Sequence, residues 1–336
     1  MDPVTALRRI AYLLEADRAP TYRVRAFRTA AATIAALDPA DVQQRARTRS
    51  LTRLKGIGDT TAAVIEQAVA GGTPDYLARL QAEAPGPPAA GAELLRALRG
   101  DLHAHTDWSD GGSPVEEMAA AASDLGHEYL AITDHSPRLT VARGLSAERL
   151  AEQLSVIEAI NAAGVGTRLL TGIECDILAD GGLDQTTELL GRLDVVVASV
   201  HSDLRADAAT MTRRMLAAIA NPHTDVLGHC TGRLLVGARG NRPPSRFDAE
   251  AVFAACAEHG VAVEINSRPE RLDPPKALLA QAVAAGCLFS INTDAHAPGQ
   301  LEWRYHGTAR AAECEVPADR IVNTWPLDRL REWLHR

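Results

Sequence analysis

Histidine, aspartate and glutamate recur near the ends of apolar runs along this chain. In order they are Asp101-Leu102-His103-Ala104-His105, Ser109-Asp110-Gly111, Thr133-Asp134-His135, Gly172-Ile173-Glu174, Ser199-Val200-His201, Gly228-His229 and Asp294-Ala295-His296. Imidazole and carboxylate together suit zinc, manganese or iron, and too many ligands are present for one ion. His103 and His105 are one residue apart, so both point to the same side of an extended strand end and can grip one ion. Glu174 and Asp294 are placed to complete that site. The second oxygen of Glu174 can bridge to another ion held by His201 and His229, and Asp110, His135 and His296 remain for a third. Two or three ions about 3.5–4 Å apart clamp a phosphate and stabilise the charge developing on its oxygens. Any one of these elements is weak evidence; the set predicts a multinuclear metallohydrolase with His103, Glu174 and Asp294 at its catalytic centre. The other histidines (His127, His223, His259, His306 and His335) lack this placement and are read as ordinary.

Something must bring residues so far apart in sequence to one place. Strands are predicted at 129–133, 168–173, 194–200, 225–228, 261–265 and 288–293, with a short one closing at Leu102. Helical periodicity fills the gaps, as in Pro114–Leu125, Ala147–Ala162 and Ala249–His259. Seven strand–helix alternations imply a parallel sheet closed into a barrel, whose chemistry sits at the C-terminal ends of the strands. The metal signals lie there in six of seven cases. The 261–265 strand supplies Glu264 and Asn266 instead.

The first hundred residues read differently. Ala6 to Leu37 is helical by periodicity, with a break at Asp17 to Pro20. Leu54-Lys55-Gly56-Ile57-Gly58 then leads into a helix through Ala62, Ile65 and Val69, ended by Gly71-Gly72. A short helix, a tight Gly-x-Gly turn and a second helix with free N-terminal amides form a helix-hairpin-helix pattern. Such amides hold a nucleic-acid phosphate without reading sequence, which makes Lys55, Gly56, Ile57 and Gly58 the DNA-binding candidates. This segment carries 14 basic against 10 acidic residues, while the rest of the chain carries 21 against 33. A mildly basic arm beside an acidic metal domain is compatible with a nucleic-acid partner. Domains are expected at 1–84 and 101–336, joined by a linker and short helix over 85–100.

No apolar run approaches the roughly 18 residues of a membrane span, so no membrane partner is expected. The cysteines (175, 230, 256, 287 and 314) are scattered without a CxxC pair, which fits reduced thiols and a cytoplasmic location.

From Asp101 to about Trp333 the chain resembles the PHP (polymerase and histidinol phosphatase) family, above all the C-terminal PHP domain of bacterial and archaeal family X DNA polymerases. The runs Gly172–Asp184, Gly228–Arg233, Glu264–Asp273 and Asn323–Leu327 carry that likeness. The N-terminal segment resembles the helix-hairpin-helix module of the same polymerases through Tyr22–Ala31 and Leu54–Gly58. The resemblance implies a distorted (β/α)7 PHP barrel preceded by a small all-α domain. It also implies a trinuclear site with His103, His105, Asp110, His135, Glu174, His201, His229, Asp294 and His296 as ligands. Cys230 departs from the family pattern, in which proline follows the ligand histidine, and is read as a change of loop rather than a thiol acting at a metal.

Only about fifteen residues of linker and helix lie where such polymerases carry their catalytic core, so no polymerase activity is expected. A lyase would need a Schiff-base lysine, and Lys55, the only one in the first domain, sits at the hairpin where phosphate contact suits it better. The leading expectation is therefore a metal-dependent phosphoesterase that processes DNA 3′ ends, as a 3′–5′ exonuclease or 3′-phosphatase. Two or three zinc, manganese or iron ions would be its cofactors. Arg233 and Arg268, with Arg271, lie past strand ends where they can pair with phosphate oxygens. The second expectation is a phosphatase of small phosphomonoesters, like the histidinol phosphatases. The third is a non-catalytic DNA-binding protein with a structural metal cluster.

Overall fold

The apolar runs of the second part of the chain form seven strands: β1 (Gly100–Asp101), β2 (Tyr129–Ile132), β3 (Arg168–Asp176), β4 (Val195–Ser199), β5 (Val226–Leu227), β6 (Ala262–Asn266) and β7 (Leu288–Asn292). These come from a computed structural model that describes residues 1–84, 86, 88–164, 166–236 and 240–335; Pro85 and Pro87 of the predicted linker lie outside the described residues. The strands pair in chain order, each parallel to the next. A parallel bridge between Ala104 and Ala295, with the His105 amide 2.7 Å from the Ala295 carbonyl, brings the end of β7 back to β1. The result is a nearly closed seven-stranded parallel barrel wrapped by helices, as a parallel sheet requires.

Strand parity sorts the barrel into an inside and an outside. Tyr129, Ala131, Leu170, Val195, Val197, Val226 and Ala262 form one buried cluster, which Trp325, Leu330 and Trp333 of the C-terminal segment join. Ile173, Cys175, Val196, Ala198, Leu227, Val263 and Ile265 belong to another, packed with helical residues such as Met211, Met215, Val252 and Phe253. The first cluster fills the N-terminal half of the barrel. Along the same faces, nearer the C-terminal ends, come Glu174, Ser199, Glu264, Asn266, Ser290 and Asn292, all buried. The apolar floor holds the strands together, and the polar upper layer is where ligands can be placed.

By Cα packing the chain divides into Met1–Gly86 and Pro87–Arg336, so the helix Ala92–Ala97 belongs with the barrel. Among the described residues the first unit has five α-helices, α1 (Pro3–Ala16), α2 (Thr21–Ala35), α3 (Pro39–Arg47), α4 (Asp59–Val69) and α5 (Asp75–Glu83), with a 3-10 turn at Leu51–Arg53 before α4. Its own core comprises Leu7, Ile10, Leu14, Phe27, Ile34, Leu51, Ile65 and Leu77 among others. Asp2 and Asp38 cap α1 and α3 through their side chains, each followed by a proline in the first turn. No helix among the described residues is long and apolar enough to cross a membrane.

Candidate metal centre

The strand ends deliver their side chains to one point. Glu174, in β3, is its hub. Glu174 Oε1 lies 2.9 Å from His229 Nε2 and 3.3 Å from His201 Nε2. Glu174 Oε2 lies 2.8 Å from His135 Nδ1, 3.5 Å from His103 Nε2 and 3.6 Å from His105 Nε2. Asp294 Oδ1 is 3.5 Å from His105 Nε2. Asp110 Oδ1 is 3.3 Å from His296 Nε2 and 3.5 Å from His135 Nε2. All nine predicted ligands therefore converge.

The donors form four overlapping groups: His103, Glu174 and His229; His103, His105 and Asp294; His135, Glu174 and His201; and His105, Asp110, His135 and His296. This differs in part from the division expected from spacing. His105 stands with Asp110, His135 and His296 as well as with His103, and His135 also joins His201 at Glu174.

These side chains fit metal ions rather than one another. His103 Nε2, both ring nitrogens of His105, His135 Nδ1, both oxygens of Glu174 and both ring nitrogens of His201 are buried without an aligned hydrogen-bond partner. Orphaned buried polar atoms are costly, and eight of them on side chains that meet at Glu174 fit the ligands of cations. Although His135 Nδ1 is only 2.8 Å from Glu174 Oε2, the pair is not aligned as donor and acceptor. Protonation follows the same logic. Burial alone would raise the Glu174 carboxyl, but His201, His103 and His135 hold it well below the usual carboxylate range. Burial likewise opposes Asp294, and Arg268 and His105 hold it low. Burial, then His296 and His135, push His105 down to about 3 and keep it neutral. Ligation requires ionised carboxylate and neutral imidazole. Although burial opposes it, Glu264 and Glu174 raise His103 well above its ordinary value and Glu174 and Asp176 raise His201 to about 9, so these two rings give up a proton when they ligate.

Outside the ligands stand buried carboxylates that the motifs did not mark for this role. Glu264 Oε1 accepts from His103 Nδ1 at 2.7 Å and Asn292 Nδ2 at 3.0 Å. Glu264 Oε2 accepts from the His229 amide at 2.6 Å and Asn266 Nδ2 at 3.1 Å. With its proton on Nδ1, His103 aims the Nε2 lone pair at the cluster. Asp134 accepts from the Thr106 amide and hydroxyl, Ser109 and Gln153, fastening the loop that carries Asp110. Asp101 accepts from the His103 and Thr293 amides, tying the start of the barrel to its end. Asp176 accepts from the His201 amide at 3.0 Å. The only local signal was a carboxylate beside a ligand, as in Asp101 and Asp134. For Glu264 it was an acid at a strand end that carries no histidine.

Two backbone features also serve the site. Asp294 sits in the left-handed region at φ 52°, an uncommon conformation for a non-glycine residue and one that aims its carboxylate. A Cβ on Gly228 would stand 2.2 Å from Ser199 Oγ and 2.7 Å from Val197 Cγ1, so only glycine lets β5 close against β4 before His229.

The arginines divide. Arg268 Nη1 lies 3.0 Å from His296 Nδ1 and 3.4 Å from Asp294 Oδ1, and Arg271 Nε lies 3.2 Å from Asp294 Oδ2, so both border the cluster. Arg233 does not meet its expectation. Its Nε donates to the Arg271 carbonyl at 2.9 Å and one terminal nitrogen donates to the Leu272 carbonyl, which commits it to holding the 271–273 loop. Cys230 joins none of the donor groups; its buried Sγ faces Asp273 at 3.8 Å.

In the first unit, Gly56 has φ 90°, and a Cβ there would stand 2.7 Å from Thr29 Cγ2, so the hairpin needs glycine. The Ile57 side chain is buried, its amide donates to the Leu54 carbonyl, and the Gly58 amide donates to Thr61 Oγ1 at 3.0 Å. Two of the four predicted phosphate-binding positions thus have their amides engaged within the fold. Lys55 and Gly56 remain exposed.

Comparison with known proteins matches residues 101–268 to the PHP domain and residues 1–74 to a helix-hairpin-helix domain. A Bacillus subtilis protein named DNA polymerase/3'-5' exonuclease PolX is 37% identical over 242 residues, 72% of this chain and 42% of that one. This chain thus spans less than half the length of that relative. A probable phosphatase of Edwardsiella ictaluri is 31% identical over 246 residues, 70% of this chain and 94% of that one. A solved histidinol phosphate phosphatase of Lactococcus lactis aligns with a TM-score of 0.46 and 18% identity, over 64% of this chain and 92% of that one; so shallow a likeness carries no functional weight.

Proposed function

The chain belongs to the PHP family and is a metal-dependent phosphoester hydrolase, and from that premise we propose that it processes the 3′ ends of DNA. The observation that carries this reading is the pairing, in one chain, of a helix-hairpin-helix domain with a PHP domain. The relative named as a 3′–5′ exonuclease supports it. Lys55 and Gly56 would meet a backbone phosphate and hold the strand without reading its sequence.

The nine converging side chains would hold two or three divalent ions. The chemistry that ions held there would supply is Lewis-acid stabilisation of phosphoryl oxygens and a bound water whose pKa is brought down towards about 7. The protein's own groups do the rest. Glu174 presents one oxygen to each half of the cluster. Glu264 and Asp101 orient His103, and Asp134 holds the Asp110 loop so that the ligand set is fixed before substrate arrives. Arg268 and Arg271 border Asp294 from the side and add positive charge where phosphate charge develops.

The test is hydrolysis by the manganese- or zinc-loaded chain of a 3′-labelled DNA duplex beside a panel of small phosphomonoesters, with His103→Ala as control. Release of 3′ nucleotides or 3′ phosphate, abolished in the variant, is expected. Rapid turnover of a monoester with the DNA left intact would overturn the DNA reading. It would favour a phosphatase of small phosphomonoesters, in keeping with the Edwardsiella relative named as a probable phosphatase.

A further inference from the structure

Arg268, Arg271 and Arg233 near the centre are committed to protein partners, whereas Arg138 is held through its Nε alone. Arg138 lies in the segment after β2, two residues past Ser136 and three past the ligand His135. That segment is fastened at several points. Ser136 N donates to the Glu174 carbonyl at 3.0 Å, Leu145 N to the His135 carbonyl at 2.7 Å, and the Arg138 amide to Asp184 Oδ2 at 2.9 Å. A Cβ on Gly144 would stand 1.9 Å from the Ser136 carbonyl oxygen, so the turn closes this tightly only with glycine. The Arg138 side chain is nevertheless 60% exposed. Its Nε lies 3.6 Å from Asp176 Oδ2, and its two terminal nitrogens have no hydrogen-bond or ion-pair partner among the described residues.

Asp176 sets the position. It is two residues beyond Glu174 in β3, hence on the same face and about 7 Å nearer the mouth of the barrel. Its other oxygen, Oδ1, is 3.7 Å from His201 Nδ1. Arg138 is therefore separated from the ligand ring by one carboxylate. With Asp176 between it and His201, Arg138 stands outside the ligand set, in reach of a group one step removed from the one held at Glu174. The same segment carries Val141, 81% exposed. The other large exposed apolar side chains of the barrel unit, Leu235 and Val236, lie on the segment after β5, again at the mouth. A cation and exposed apolar side chains on segments that follow the strand ends suit a nucleotide, with its phosphate beside a sugar and base.

We propose that Arg138 binds the phosphate adjacent to the scissile one, so that the site prefers substrates with at least two phosphates in a chain over isolated esters. This rests on the phosphoesterase reading of the centre and deepens it.

The test compares two substrates of the manganese-loaded full chain: the p-nitrophenyl ester of thymidine 5′-monophosphate, with one phosphate, and a tetrathymidylate. Arg138→Ala is expected to raise KM for the tetranucleotide about tenfold more than for the ester. It should also flatten the salt dependence of tetranucleotide kcat/KM by about 0.7 in log–log slope, one fewer phosphate being neutralised. Arg138→Lys should restore the slope, because it keeps the charge. A purely structural role would depress both substrates alike and leave the slope unchanged. Equal losses, or no loss, would overturn the proposal. The tetranucleotide is also tried as an inhibitor of ester hydrolysis. If it is not cleaved but inhibits, and inhibits less in Arg138→Ala, the DNA-end reading fails while the role of Arg138 stands. If it neither reacts nor inhibits, both fall.

Discussion

Replacing Glu264 with glutamine removes one charge and almost no volume, and its consequence can be worked out atom by atom. The carboxylate accepts two donors on each oxygen: His103 Nδ1 and Asn292 Nδ2 on one, the His229 amide and Asn266 Nδ2 on the other. Glutamine keeps a single acceptor oxygen. If its NH2 faces His103, that ring must accept at Nδ1 and carry its proton on Nε2, the atom aimed at Glu174, and it can no longer ligate. If the NH2 faces His229, that amide and Asn266 meet a donor instead. One buried donor, Asn292 Nδ2, loses its acceptor in the first case and two in the second, at about 1–3 kcal/mol each. For a unit of this size each kcal/mol lowers Tm by about 2–4 °C. Loss of a carboxylate behind a ligating histidine weakens metal binding by about 10- to 100-fold. We therefore expect Glu264→Gln to fold with a Tm lower by several degrees, to bind zinc or manganese at least tenfold more weakly in a chelator competition, and to lose hydrolytic activity in proportion. Metal affinity and Tm equal to those of the parent chain would refute the argument that Glu264 sets the tautomer of His103.

Three further outcomes follow from the same structure. His127 is buried, and burial together with Arg304 pushes its pKa down to about 3. Because the folded value lies below the unfolded one of about 6.5, its contribution is intact above pH 6.5 and is lost as pH falls from there towards 3. Urea unfolding at pH 7.5 and 5.5 should show a loss of roughly 1 to 1.5 kcal/mol from this group, absent in His127→Gln; equal losses in both proteins would sink the assignment. Gly228→Ala must displace β5 or Ser199, at about 1–3 kcal/mol for overpacking, and should lower bound metal measured by atomic emission; full occupancy would show that β5 yields without moving His229. Stripping metal with a chelator should lower Tm, and zinc at about a thousand times its Kd should restore about 4 kcal/mol; a Tm indifferent to metal would mean that the cluster does not bind ions in the folded state.

Much of this was legible in residue order, and the parts that were not have a common cause. Apolar runs marked the strands because burial needs no partner to be named in advance. β2, β3, β4, β6 and β7 lie within a few residues of their predicted spans, β5 shrinks to two residues, and the short β1 ends at Asp101, one residue before Leu102. Position near a strand end, together with the family resemblance, singled out nine candidate ligands, and they converge because in a parallel barrel every C-terminal end opens onto one mouth. The hairpin was equally visible, because Gly56 needs its φ of 90° whatever surrounds it. The pairings were not visible. His103 and Glu264 are 161 residues apart, and only the adjacency of strands in the closed sheet makes one the support of the other. Arg233, expected to meet a phosphate, turns to the Arg271 and Leu272 carbonyls because the 271–273 loop folds back beside it. The assignment of His105 and His135 to shared groups depends on ångström distances between strand ends. Residue order alone determined which side chains can do chemistry and on which face of its own strand each one sits, for these depend on local geometry. Which donor faces which acceptor was decided only in the tertiary structure, because hydrogen bonding and ligation are short-ranged and act between chain segments that meet only when the barrel closes.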